Sequence, residues 1–321
     1  MHVPLVFYAG FIAFIIAMLL VDLKLFHAEE HEPTIKESAT WVCIWVALAV
    51  LFGIGLLVLK GHRPATEYFA GYLIEYSLSV DNMFVFVVIF SYFAVPRAYQ
   101  HQVLFYGILG AIVSRGIFIA LGTALINSFE WIIYIFGAFL IITAYRVGKG
   151  SAEEMHPEEN PILKLIRRRT RTTTSFDGQK LFTQENGRRV ATPLLIVLLF
   201  VEVTDVLFAV DSIPAIFGVT KDPFIVLTSN VFAILGLRAL YFLLAGGMNR
   251  LHLLNYGLAV ILGFVGAKML LEAVDVHFPI WLSLVIIVGV LAVTAVASYL
   301  IPPKDKAGAL PDAVEESTNP D

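Results

Sequence analysis

Glu75-Tyr76-Ser77-Leu78-Ser79-Val80-Asp81-Asn82 and Asp205-Val206-Leu207-Phe208-Ala209-Val210-Asp211-Ser212 are one pattern written twice. In each, an acid is followed six residues later by a second acid, which comes after a valine and before a small polar residue. Each copy lies inside a long apolar run. A carboxylate at a bilayer centre costs at least about 2.5–3.5 kcal/mol on insertion scales. Four of them at matched places read as the floor of an ion site.

Composition agrees with a bilayer environment. The chain is 58% hydrophobic and 15% charged, with mean hydropathy +0.81. A globular domain averages about 45–50% apolar and about 25% charged residues. The chain therefore reads as an all-α polytopic membrane protein. Nine apolar runs are long enough to cross the hydrocarbon: 4–25, 40–59, 67–94, 103–125, 130–147, 193–218, 224–246, 253–272 and 279–301. They lack period-two alternation, which excludes barrel strands. Met1-His2-Val3-Pro4 carries no Lys or Arg, and the run after it is too long for a signal-peptide core, so it is expected to be an uncleaved first helix. Cys43 is the single cysteine, and no disulfide can form within the chain.

The net charge of −4 hides an uneven distribution. Residues 148–192 hold Lys149, Lys164, Arg167, Arg168, Arg169, Arg171, Lys180, Arg188 and Arg189. The positive-inside rule places this loop in the cytoplasm, with the N-terminus outside and the C-terminus inside. Sixteen of the 22 Lys and Arg then fall on cytoplasmic segments or helix ends, and Lys60, Arg63, Lys221 and Lys268 fall outside. The run Arg167–Arg171 suits anionic lipid headgroups; a solvated topology anchor is the plainer reading. Asn186-Gly187, between Leu181-Phe182-Thr183 and Arg188-Arg189-Val190, predicts a short hairpin. The tail 302–321 is polar with four prolines and is expected to be disordered.

The repeat reaches beyond the acids. Gly107-Ile108-Leu109-Gly110-Ala111-Ile112-Val113-Ser114-Arg115 matches Asn230-Val231-Phe232-Ala233-Ile234-Leu235-Gly236-Leu237-Arg238, with the arginine in register. The helices after these correspond as well, ending in Arg146 and Lys268. An odd number of helices per unit turns the second unit over, giving an inverted three-plus-three helix repeat of the kind secondary transporters use. The expected organisation is two N-terminal helices (1–63), the first repeat (64–147), the basic loop (148–192), the second repeat (193–273), a ninth helix (274–301) and the tail.

Five acids fall at membrane depth, Glu75, Asp81, Glu202, Asp205 and Asp211, against the two cations Arg115 and Arg238. A divalent cation, protons or both would balance the excess. Carboxylate and carbonyl oxygens suit hard cations such as Mn2+, Mg2+ and Ca2+. The histidines lie in loops or near helix ends, so Zn2+, Cu+, haem and iron–sulfur centres are poor candidates. Asn82, Ser212 and Asn230 are neutral oxygen donors able to complete a shell; interhelical hydrogen bonding is the plainer reading. Glu202 and Asp205, at i and i+3, share a face and make Glu202 a further ligand or proton site. Six residues on a straight helix leave the two acids of a copy about 120° apart and about 9 Å along the axis, so one ion cannot take both without distortion. Pro214 cannot donate to the Val210 carbonyl and is expected to break the helix beside Asp211. Arg115 and Arg238 read as counter-ions, with anion recognition the other reading. Tyr72, Tyr76 and Tyr92 read as packing residues. The chain has no phosphate-binding loop and no nucleophile with a nearby base, so an enzyme is not expected, nor a tightly bound cofactor or a nucleic-acid partner.

These residues carry a family resemblance. Gly71-Tyr72-Leu73-Ile74-Glu75, Val80-Asp81-Asn82, Asp205 with Ala209-Val210-Asp211-Ser212-Ile213-Pro214-Ala215, Asp222-Pro223-Phe224, Ser229-Asn230 and Leu237-Arg238-Ala239 resemble the TerC family of integral membrane proteins, nearest its alkali-induced Alx branch. The resemblance implies a bacterial inner-membrane location and membership of a superfamily of exporters. It implies Mn2+ efflux, with protons as a candidate counter-ion, and it places the family acids at Glu75, Asp81, Asp205 and Asp211. The family takes its name from tellurium resistance. Some members are described as membrane-bound redox modulators, others as assembly or metal-supply factors, and these form the alternative function. Coupling ratio and oligomeric state stay open.

Overall fold

The computed structural model describes residues 4–26, 34–129, 131–149, 172–173, 175–185, 188–245, 253–272, 274, 276 and 278–301. Arg167–Arg171, Asn186-Gly187, the tail from Pro302 and the side chain of Asp81 lie outside the described residues. Helices α1 (Leu5–Phe26), α2 (Ile35–Lys60), α3 (His62–Tyr92), α4 (Arg97–Ser128) and α5 (Ile132–Gly148) come first. Strands β1 (Phe182–Glu185) and β2 (Arg188–Ala191) follow, then α6 (Pro193–Phe217), α7 (Pro223–Leu235), α8 (Leu237–Ala245), α9 (Leu254–Glu272) and α10 (Ile280–Leu300).

Among the described residues, six helices are long and apolar enough to cross a membrane: α2, α3, α4, α6, α9 and α10. The pair α7 and α8, bent by 41°, makes a seventh span if taken as one. Shorter apolar helical stretches cover Val6–Val21 and Ile132–Gly148. Val6, Val58, Leu59, Val293 and Leu300 are all more than two-thirds exposed. So much outward apolar surface is stable against lipid and would be an aggregation liability in water.

Helix ends follow local chemistry. Gly61 alone separates α2 from α3, and its φ of +89° is a conformation that a side chain would disfavour. Pro64 falls in the first turn of α3, where backbone N–H groups have no intrahelical acceptor, so the helix starts two residues ahead of it. Asp222 caps α7, accepting from the backbone N–H of Phe224 and Ile225 at 3.0 and 3.4 Å, with Pro223 at the first helical position. The expected break at Pro214 does not occur: α6 runs through the proline to Phe217. The bend falls instead at Gly236, between α7 and α8, where Trp45 of α2 packs so closely that an added Cβ would meet its side chain at 3.3 Å.

The helices pair reciprocally. The most extensive pairing is α5 with α9, followed by α3 with α7 and α4 with α6. Gly137 and Gly266 bring α5 and α9 into backbone contact, since a Cβ on Gly266 would lie 2.8 Å from the Gly137 carbonyl oxygen. Gly148 approaches Ala259, so these two helices run in opposite directions. Small residues at such crossings let helices associate in lipid, where there is no hydrophobic drive between them. In α4 and α6, Gly107 faces Val201 and Gly122 faces Phe217, so that pair is parallel.

The predicted hairpin is present. β1 pairs antiparallel with β2, Glu185 opposite Arg188, across the two residues Asn186-Gly187. Thr192 Oγ1 donates to the Lys180 carbonyl at 2.7 Å, and Phe176 packs on Tyr99 at the start of α4. Tyr241 stacks edge-on against Phe90 and donates to Gln100 Oε1 at 3.0 Å. Aromatic side chains thus pack together at the hairpin end of the bundle. The opposite end holds a cavity of about 1050 Å³ between the start of α3 and the ends of α6 and α9.

Candidate ion site

Arg115, in the middle of α4, is 1% exposed. Its guanidinium meets oxygens from two other helices. Nη1 is ion-paired with Glu75 of α3. Nη2 and Nε donate to the two carboxylate oxygens of Asp205 on α6, at 3.1 and 3.4 Å. Nη1 also reaches Ser212 Oγ at 3.4 Å. Asp205 and Ser212 are seven residues apart, nearly two full turns, and so share one face of α6. The first acid of each repeated stretch therefore arrives at the same arginine, and Ser212 joins them. Glu75 and Asp205 are both buried, and removing one member of such a pair costs about 3–5 kcal/mol.

The second acids stand apart from this cluster. Asp211 is half-buried and accepts a hydrogen bond from Thr143 Oγ1 of α5 at 3.2 Å. The backbone of Asp81 is in α3, but its side chain is outside the described residues. Asn82 is buried on the next position of α3. Asn230, on α7, is fully buried, and neither atom of its amide has a hydrogen-bond partner among the described residues. Arg238 is buried in α8, two residues after the bend. Glu202 sits half-buried one turn before Asp205, with its carboxylate directly over Gly110 of α4. Any side chain at Gly110 would collide with it. Tyr72 and Tyr76 stack on each other, and Tyr72 stacks on Tyr68, along the side of α3 that faces α2, as packing residues should.

The sequence did not reveal that two further charges are buried. Glu67, near the start of α3, accepts from Thr220 Oγ1 at 2.5 Å and from Arg63 Nε at 3.0 Å. Lys268, expected beyond the bundle on the outer side, is instead 2% exposed, 3.5 Å from Glu272. Both line the cavity at the end remote from the hairpin, together with Asp222 and Lys221. Glu67 was visible as the first residue of an apolar run, and Lys268 as the lone basic residue inside another.

Every polar group converging on Arg115 is an oxygen, a donor set for hard cations. Among the described residues, no three His, Cys, Asp or Glu stand close enough together to hold a metal ion. The cluster as it stands is filled by the arginine.

A helical bundle of several apolar spans with paired charges buried inside it defines a polytopic membrane protein. The chain belongs to the integral membrane protein TerC family, which it matches over residues 60–306. It is 51% identical over 294 residues to the uncharacterized membrane protein STKORF319 of Myxococcus xanthus, covering 91% of this chain and 92% of that one. It is 48% identical over 297 residues to the putative membrane-bound redox modulator Alx of Escherichia coli K12, covering 89% and 92%. Against the chloroplastic thylakoid membrane protein TERC of Arabidopsis thaliana it is 46% identical over 272 residues, covering 85% and 70%. No solved structure matches the chain.

Proposed function

We propose that this protein is a secondary transporter that exports a hard divalent cation, Mn2+ first among them, from the cytoplasm across the bacterial inner membrane, with protons as the counter-ion. The observation that carries the reading is the meeting of Glu75, Asp205 and Ser212, from two distant stretches, at one buried point. Asp81, Asp211, Asn82 and Ser212 complete the ligand set as the ion moves, with Asn230 a reserve oxygen. The reciprocal pairing of α3 with α7, α4 with α6 and α5 with α9 supports an inverted repeat of nine spans. The N-terminus is then outside, with the hairpin and C-terminus cytoplasmic. The cavity at the far end supports an exit on the outer side.

Purified protein in liposomes holding a Mn2+-quenched dye tests this. Mn2+ should cross faster than Zn2+ or Cu+, and an opposing pH gradient should speed it. Protein-dependent flux of no divalent metal would overturn the reading. The printed name of the Escherichia coli relative favours a second reading, a redox modulator. With Cys43 as its one thiol, the chain can run dithiol chemistry only with a second molecule. A Cys43→Ala variant separates the two: transport survives it, and a thiol-based redox activity does not.

A further inference from the structure

Arg115 sits where a bound cation would sit. Its guanidinium bridges Glu75 and Asp205, and Ser212 closes a third side. A hard dication needs such oxygens at roughly 2.0–2.6 Å, all turned toward one point. The guanidinium, with Asp205 Oδ1 3.1 Å from Nη2, occupies that point, so arginine and metal exclude each other.

The neighbouring acid offers the arginine a second seat. Glu202 lies one turn from Asp205 on the same face of α6 and projects over Gly110, on the helix that carries Arg115. It makes no hydrogen bond or ion pair among the described residues. Arg115 already reaches Asp205, and Glu202 is three residues away on α6, about 4.5 Å along its axis, a shift on the scale of an arginine side chain. The missing side chain at Gly110 lets the Glu202 carboxylate lie directly against α4, the helix that carries Arg115.

We propose that Arg115 is a tethered cation. It plugs the space between Glu75 and Asp205 when no metal is bound, and moves to Glu202 when the metal enters. The inference rests on the transport reading and says how the empty carrier keeps its buried carboxylates compensated. It also sets a selectivity threshold: an ion enters only if it binds both carboxylates better than the arginine does. Arg115 is thus a positioning residue and Glu202 its acceptor rather than a metal ligand.

The test is Mn2+ binding to the purified full-length protein, by calorimetry and by the spin resonance of free Mn2+. Arg115→Gln should bind Mn2+ about tenfold or more tightly than the unaltered protein, because the competent fraction of sites rises. Its metal-free form should melt lower, and Mn2+ should restore the melting temperature. Glu202→Gln should weaken binding, and should change nothing further when added to Arg115→Gln. If Arg115→Gln does not fold, Arg115→Lys takes its place: a shorter head group that cannot bridge both acids should tighten binding by a smaller factor. Mn2+ binding to the unaltered protein with no gain in the arginine variant overturns the tethered cation alone. Weakening by Glu202→Gln in the arginine-variant background makes Glu202 a ligand and overturns its role as acceptor. Absence of Mn2+ binding in all of them overturns the transport reading beneath.

Discussion

Asp205 and Asp211 stand six residues apart on α6 and meet different partners, Arg115 and Thr143. Their substitutions should therefore behave differently. Asp211→Asn keeps an oxygen for the Thr143 hydroxyl, so membrane abundance should be normal while Mn2+ flux is abolished or nearly so. Neutralising Arg238 as well should not restore that flux. Asp205→Asn removes half of the pairing of a buried guanidinium and should cost about 3–5 kcal/mol, read as lower abundance and a lower melting temperature. Measuring abundance and flux together for each variant checks both. Equal abundance of the two variants would show that the Arg115 cluster does not hold the bundle together. The acids were legible in the sequence because a carboxylate in an apolar run is costly and because the two stretches are spaced alike. Their partners were not, since which acid meets which arginine depends on helix rotation. Glu67 and Lys268 escaped for another reason: charges near the ends of apolar runs look like interface residues until the helices are packed.

At the scale of elements, the crossing of α5 and α9 depends on the absence of two side chains. Gly266→Ala would place a methyl group 2.8 Å from a backbone oxygen that cannot rotate away. It should destabilise by about 1–3 kcal/mol, as overpacking does. Gly10→Ala, with nothing within 4 Å of the new carbon, should be neutral. Thermal melts in one detergent compare the two. In the hairpin segment, hydrogen bonds from Thr183 and then Lys180 hold the Asp177 carboxyl below its ordinary value of 3.8. The folded value is the lower one, so this support is complete above the unfolded value and is lost as pH falls through the folded value. Amide exchange in β1 and β2, corrected for intrinsic rates, should rise in that acid window, and Asp177→Asn should remove the dependence. The hairpin was readable from Asn186-Gly187, because so few turns accept positive φ. The bend was misplaced at Pro214: proline near the end of a helix removes one hydrogen bond and little else, whereas the chain bends at Gly236, against which the Trp45 side chain packs.

For the whole molecule, the apolar runs and the doubled acidic stretch were enough to predict a helical membrane bundle, and the helices fall on those runs. Direction across the membrane rests on charge bias and on the repeat. Single cysteines placed beside Arg97 and beside Lys221, in a Cys43→Ala background, should be labelled from opposite sides. Labelling from one side would remove the inverted repeat.

The cavity beside Glu67, at the end opposite the hairpin, has an electrical consequence on the transport reading. On that reading, the cavity admits water and the membrane voltage falls mainly across the opposite half of the bundle. Moving one charge through the full field is worth about 2.3 kcal/mol per 100 mV, and a dication about twice that. Nearly all of that work would then belong to movement between the hairpin end and Arg115. The remaining path, eight residues of α3 from Glu75 to Glu67 or about 12 Å, crosses little of the field. On the transport reading, release of the ion into the cavity should depend little on membrane potential, and the potential should act on how the ion, or the empty cluster, arrives.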